Sequence, residues 1–96
     1  MSEPKQEQCN SQCVKENVFI YAAKYGGFNE VCISKTIEED FYTVSVLIKQ
    51  MNEWFTLSTR RDSHKPREFK HVDVAISKIR KMIGATKFII TYQHPL

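Results

Sequence analysis

Residues 41–92 read FYTVSVLIKQMNEWFTLSTRRDSHKPREFKHVDVAISKIRKMIGATKFIITY, and the two periodicities in this stretch decide the fold. From Phe41 to Lys49 the chain is rich in β-branched and aromatic residues. Tyr42, Val44, Val46 and Ile48 alternate with Phe41, Thr43, Ser45 and Leu47, as a strand with two faces requires. Helical spacing also fits Phe41, Val44, Leu47 or Ile48, and Met51, but the composition decides for a strand. Gln50 to Glu53 turns the chain. Trp54 to Arg61 then returns with Phe55, Leu57 and Thr59 opposite Trp54, Thr56, Ser58 and Arg60.

The period changes after a loop. Arg61 to Arg67, with Asp62, Ser63 and Pro66, has no repeat and combines turn formers with positive charge. Beyond Glu68, Phe69 and Lys70, the residues Val72, Ala75, Ile76, Ile79, Met82 and Ile83 recur at steps of three and four. That spacing puts one apolar stripe on a helix over 72–83. His71 stands at the N-cap, Asp73 complements the dipole in the first turn, and Lys78, Arg80 and Lys81 complement it at the other end. Gly84 is placed to stop the helix in a left-handed conformation. Lys87 to Tyr92 follows as a strand, with Phe88, Ile90 and Tyr92 alternating against Ile89 and Thr91.

The N-terminal half is harder to read. Residues 1–16 hold Glu, Gln, Ser, Asn and Lys with almost no bulky apolar side chain, which predicts a disordered tail. Val18 to Tyr25 is an apolar run closed by Gly26-Gly27, and Glu30 to Thr36 alternates Val31 and Ile33 with Cys32 and Ser34. A β-hairpin is the simplest reading, and a short helix through Ala22, Ala23 and Lys24 suits the residues equally. Glu38-Glu39-Asp40 is an acidic break between elements.

A chain of 96 residues has room for one core, so residues 17–96 are expected to form a single domain. The expected class is α+β: a small, mainly antiparallel sheet of about four to five strands, packed by one principal C-terminal helix. No apolar run approaches the roughly 20 residues that span a bilayer. The first residues are too polar to be the apolar segment of a secretion signal, so the expectation is a cytoplasmic protein without a membrane partner.

Catalytic and metal chemistry find little support. Cys9, Cys13 and Cys32 are odd in number, which points to reduced thiols rather than a disulfide framework. Cys9 and Cys13 have a spacing compatible with zinc, but His64, His71 and His94 are scattered and supply no second ligand pair. Three adjacent acids at 38–40 read as a solvated turn, His64 as a loop surface residue, and Cys32 as a small core residue. With Gly26, Gly27 and Gly84 as the only glycines, no phosphate-cradling loop is present. The sequence therefore predicts neither an enzyme nor a cofactor.

Charge supplies the functional signal. Residues 1–48 carry four lysines against seven acids, a net −3, while residues 49–96 carry ten basic residues against four acids, a net +6. A lopsided field of this kind attracts nucleic acid or an acidic protein. The expected nucleic-acid-binding residues are Arg60, Arg61, Lys65, Arg67 and Lys70 with Trp54, beside a polar strand face of Thr43, Ser45, Thr56 and Ser58, an arrangement of the kind β-ribbon readers present to DNA. The competing class is a protein–protein adaptor or homodimer that uses an open strand edge.

The run W-F-T-L-S-T-R-R, a short loop, R-E-F-K, a helix with Ala75 and Gly84, and a closing strand resemble the C-terminal pattern of small accessory proteins of bacterial plasmids and integrative elements, the partition-associated kind. The resemblance rests on Trp54, Leu57, Arg67, Phe69, Ala75 and Gly84 and covers about half of the chain. It implies a DNA-maintenance context and assigns no site.

Overall fold

The computed structural model describes residues 12–36 and 40–93. Its elements are β1 (Gln12–Val14), α1 (Glu16–Gly26), β2 (Phe28–Thr36), β3 (Thr43–Ile48), β4 (Glu53–Leu57), α2 (Val72–Ile83) and β5 (Phe88–Gln93). The strands form one sheet in the order β1-β4-β3-β2-β5. Both helices contribute to a single core on one face of it.

The class is α+β, but the sheet is mixed rather than mainly antiparallel. β3 pairs antiparallel with β2 and β4, whereas β1 pairs parallel with β4 and β5 parallel with β2. The physical reason lies in the connections. β2-β3-β4 is a meander joined by short links, while β1-α1-β2 and β4-α2-β5 are crossovers whose helix carries the chain back to the end where it started. A strand entered after such a return runs parallel to the one left behind. The alternation in Phe88–Tyr92 marks a strand without marking its direction.

Residues 18–36, which suit a hairpin and a short helix equally as sequence, form the helix α1 followed by β2. Phe19 and Ala23 are buried, with Ala22 packed alongside, so the face at steps of three and four is the one that meets the sheet. The helix ends because Gly27 takes φ 77°, where its N–H still reaches the Ala23 carbonyl at 3.1 Å. One residue earlier, a Cβ on Gly26 would collide with Ile48 Cγ2, so a residue without a side chain lets the helix end lie against β3.

Within the span expected as tail, Gln12–Val14 pairs with Phe55–Leu57 and Glu16 opens α1. The rest of that expectation, residues 1–11, lies outside the described residues, as do Glu38 and Glu39 of the acidic break.

α2 occupies the span its periodicity predicts. Ala75 and Ile79 are fully buried, and Val72, Ile76, Met82 and Ile83 pack around them. His71 precedes the helix without a side-chain cap, and Gly84 closes it at φ 69°, ψ 22°, donating its N–H to Arg80 O at 2.9 Å. Under the helices lie Val31, Ile33, Val44, Val46, Ile48, Phe55 and Leu57, each buried. Side chains of this kind contribute about 1.5–3 kcal/mol each on burial.

The opposite sheet face carries no helix among the described residues. Register places Cys13, Thr56, Ser45, Cys32 and Ile89 in one row across all five strands. Ser34, Thr43 and Thr91 flank this row on one side, and Leu47 with Trp54 on the other.

Candidate nucleic-acid interface

The basic loop is built by extending β4 beyond Leu57. Ser58 donates its N–H to Val14 O at 2.8 Å, which prolongs the pairing with β1. On the opposite side of β4, Thr59 N–H reaches Lys65 O at 2.9 Å and Arg67 N–H reaches Leu57 O at 2.8 Å. Residues 65–67 therefore run back antiparallel along β4, with Ser58 and Pro66 as a bridge pair. Phe69 and Tyr42 then exchange backbone hydrogen bonds of 2.9 and 2.7 Å. The ends of β3 and β4 thus separate, and residues 65–69 supply the missing partner to each.

The tip of this excursion is tied by side chains. Thr59 Oγ1 donates to Asp62 O at 3.1 Å and accepts from Asp62 N–H at 3.0 Å, while Asp62 Oδ1 accepts from His64 N–H at 2.8 Å. That last bond is the chief cause that lowers the Asp62 pKa below the usual carboxylate value, aided by His64 and Lys65 nearby. The carboxylate stays ionised at neutral pH and subtracts one charge from the tip.

Arg60, Lys65 and Arg67 line one open groove of about 500 Å³ with Thr59, Pro66 and Glu68. Arg60 and Lys65 are exposed, and Arg67 is half-buried with its guanidinium 5.4 Å from the centre of the Phe69 ring. Stacking on an aromatic face restricts a guanidinium while leaving its N–H groups free to donate. Glu68 lowers the net charge of the lining, since three cations face one carboxylate. Arg61 and Lys70 are exposed neighbours in the chain that do not line the groove.

Trp54 is set apart from this cluster. It sits near the start of β4, paired with Leu47 on the helix-free face, whereas the basic loop leaves from the other end. Three residues of strand, about 10 Å, separate it from Leu57. The polar face expected beside it is also less available than the sequence suggests. Thr56 and Ser58 are 6% and 2% exposed, so they are enclosed by their neighbours, and Thr56 shares a 2.7 Å hydrogen bond with Ser45. Ser45 and Thr43 are half-buried.

Sequence reasoning missed Lys35, Tyr42 and Tyr92. Lys35 Nζ lies 5.5 Å from the centre of the Tyr42 ring, and the Tyr42 and Tyr92 hydroxyls are 3.3 Å apart. The hydrogen bond with Tyr92 is the main cause that raises the Tyr42 pKa above the usual phenol value. Because Tyr42 pairs with Phe69, this group borders the return arm of the loop. Lys35 belongs to the acidic half of the chain, and only the pairing of β2 with β3 and β5 brings it here.

Burial, and secondarily the Asp62 carboxylate, raise the Cys13 pKa, which keeps it a thiol rather than a reactive thiolate. Cys13 and Cys32 are free, and no three His, Cys, Asp or Glu side chains among the described residues are grouped to hold a metal. Cys9 lies outside the described residues. No helix among the described residues is long and apolar enough to cross a membrane. The chain matches no family model, no curated protein and no solved structure.

Proposed function

We propose that this chain is a non-enzymatic, cytoplasmic binding protein that engages duplex DNA through the loop of residues 58–70, in the DNA-maintenance setting its resemblance to plasmid accessory proteins suggests. The observation that carries this reading is the convergence of Arg60, Lys65 and Arg67 on one groove, on a loop fixed by backbone hydrogen bonds. Preset cations bind phosphates with less entropy lost than mobile ones, and the arginines can grip phosphate oxygens bidentately. Arg61 and Lys70 extend the footprint along the backbone. In this reading Trp54 contributes no stacking to the same contact.

Fluorescence anisotropy with a labelled duplex tests the proposal. Arg60→Ala combined with Arg67→Ala should weaken binding and reduce the slope of log K against log salt by roughly two, because two fewer phosphates are neutralised. Absence of wild-type binding at low salt, where screening is weakest, would refute the DNA reading.

A protein partner is the second reading, favoured by α1. Val18, Tyr21 and Tyr25 are 44%, 66% and 63% exposed along one helix side, with the tyrosine rings 4.6 Å apart. Exposed tyrosines are frequent anchors at protein interfaces. Tyr21→Ala with Tyr25→Ala should abolish partner capture on this reading and leave DNA affinity unchanged on the first.

A further inference from the structure

We propose that the chain self-associates through β5, whose outer edge pairs antiparallel with the same edge of a second copy about a twofold axis at Ile90, joining two five-stranded sheets into one. β5 ends the sheet order, and among the described residues β2 is its one strand neighbour. Val31 pairs with Phe88, and Val31 N–H donates to Lys87 O at 3.2 Å. In a parallel pair the groups that face a neighbour alternate along the strand. The backbones of Lys87, Ile89 and Thr91 therefore point at β2, and those of Phe88, Ile90 and Tyr92 point outward.

Among the described residues, this edge lacks the usual protections. Edge strands are ordinarily kept from pairing by shortness, charge, proline or a bulge. β1, at the other end of the sheet, is three residues long. β5 is six residues, FIITYQ, with no charge and no proline. It exposes a side chain on each side of the sheet: Ile89 is 44% exposed on one, Ile90 43% and Tyr92 58% on the other.

The occupant is a second copy because the edge complements itself. With the axis at Ile90, the outward backbone groups of Phe88, Ile90 and Tyr92 meet those of Tyr92, Ile90 and Phe88 of the second copy as hydrogen-bonded pairs. On the helix side Ile90 lies opposite Ile90, and Phe88 opposite Tyr92. On the other side Ile89 lies opposite Thr91. Aliphatic, aromatic and β-branched pairs of this kind stabilise antiparallel strands, and Lys87 falls opposite Gln93, so no like charges meet. The result is an isologous twofold interface, the commonest form of homo-oligomer.

Sedimentation velocity on the full chain, without DNA, reads the proposal directly. Wild type should shift from monomer to dimer as concentration rises from micromolar to millimolar. Ile90→Lys and, separately, Tyr92→Lys should weaken the dimer by about tenfold or more, since the first sets two ammonium groups directly opposite each other and the second puts one against Phe88. Tyr92 is the more exposed, so its variant keeps the test valid if Ile90→Lys loses its fold. In a background with Cys9, Cys13 and Cys32 changed to serine, Ile90→Cys should oxidise to a covalent dimer, because Cα atoms of a hydrogen-bonded pair lie about 5.5 Å apart, within disulfide reach. Ile89→Cys should not. A monomer at every concentration would overturn the proposal, and so would a dimer indifferent to both lysine substitutions.

Discussion

α2 presents an unbroken stripe from Val72 to Ile83 to the sheet and, apart from Val74, keeps its outer side polar, whereas α1 sets Phe19 and Ala23 against the same sheet while exposing Val18, Tyr21 and Tyr25 to solvent. Both helices contribute to one core. They differ in how the docking is secured. α2 relies on a long aliphatic stripe and a left-handed glycine stop, while α1 relies on one large aromatic ring and a helix end lying close to Ile48. Burial of the inner side therefore constrains a helix far more than polarity of its outer side does.

If that is so, α1 has its stability concentrated in fewer side chains than α2. Phe19→Ala should cost about 3–5 kcal/mol and Ile79→Ala about 2–5 kcal/mol, since both side chains are fully buried and their removal leaves cavities in a shared core. Urea denaturation measures both. A Phe19→Ala cost well below that of Ile79→Ala would break the comparison. Next in size, Gly26→Ala should cost about 1–3 kcal/mol despite alanine's better helix propensity, because Ile48 is fully buried and has little room to retreat. An increase in stability would show that the α1 end can move off β3.

A smaller effect is expected at the α2 stop. Gly84 has open space around its Cβ position but a left-handed φ of 69°, so Gly84→Ala should cost about 1 kcal/mol through backbone strain alone. Gly84→Asn should recover part of that loss, as asparagine tolerates this conformation better. The thermal midpoints of the two variants decide the matter. Equal losses would mean that packing, rather than φ, sets the end of the helix.

The same contrast explains what the sequence reveals. α2, β3 and β4 are readable because one side of each is apolar and the other largely polar, so burial leaves a period in the residues. In α1 the exposed Val18, Tyr21 and Tyr25 fill the polar side with apolar residues, and the period that would mark a helix is lost in the apolar run. Strand direction leaves no such trace: β5 alternates in the same way whether it pairs parallel or antiparallel. β1 is short and polar enough to pass for tail, and it becomes a strand only because β4 offers it an edge. For the candidate site, the basic residues are legible as composition. Their convergence on a groove depends on Lys65–Phe69 passing between β3 and β4, and the inclusion of Lys35 depends on pairing across the whole sheet. Trp54 is assigned to the same site by its place in the chain, and the geometry of β4 sets it at the far end.

The smallest expected effect lies where the two helices meet. Lys78 Nζ of α2 stands 3.5 Å from Glu16 Oε1 of α1, an oxygen that accepts no hydrogen bond among the described residues. The two side chains remain 29% and 31% exposed, so water still screens the attraction, and the pair should contribute no more than about 1 kcal/mol. A double-mutant cycle of Glu16→Gln and Lys78→Met isolates this coupling from the separate cost of each change. The expected coupling energy is positive, about 0.3–1 kcal/mol, and it should shrink as salt rises because a screened ion pair weakens with ionic strength. Glu16 also opens α1, where a negative charge favours the helix dipole, so Glu16→Gln alone should cost more than the coupling does. A coupling of several kcal/mol that salt leaves unchanged would mean instead that a dry ionic contact, rather than Phe19 and the close approach at Gly26, holds α1 in place.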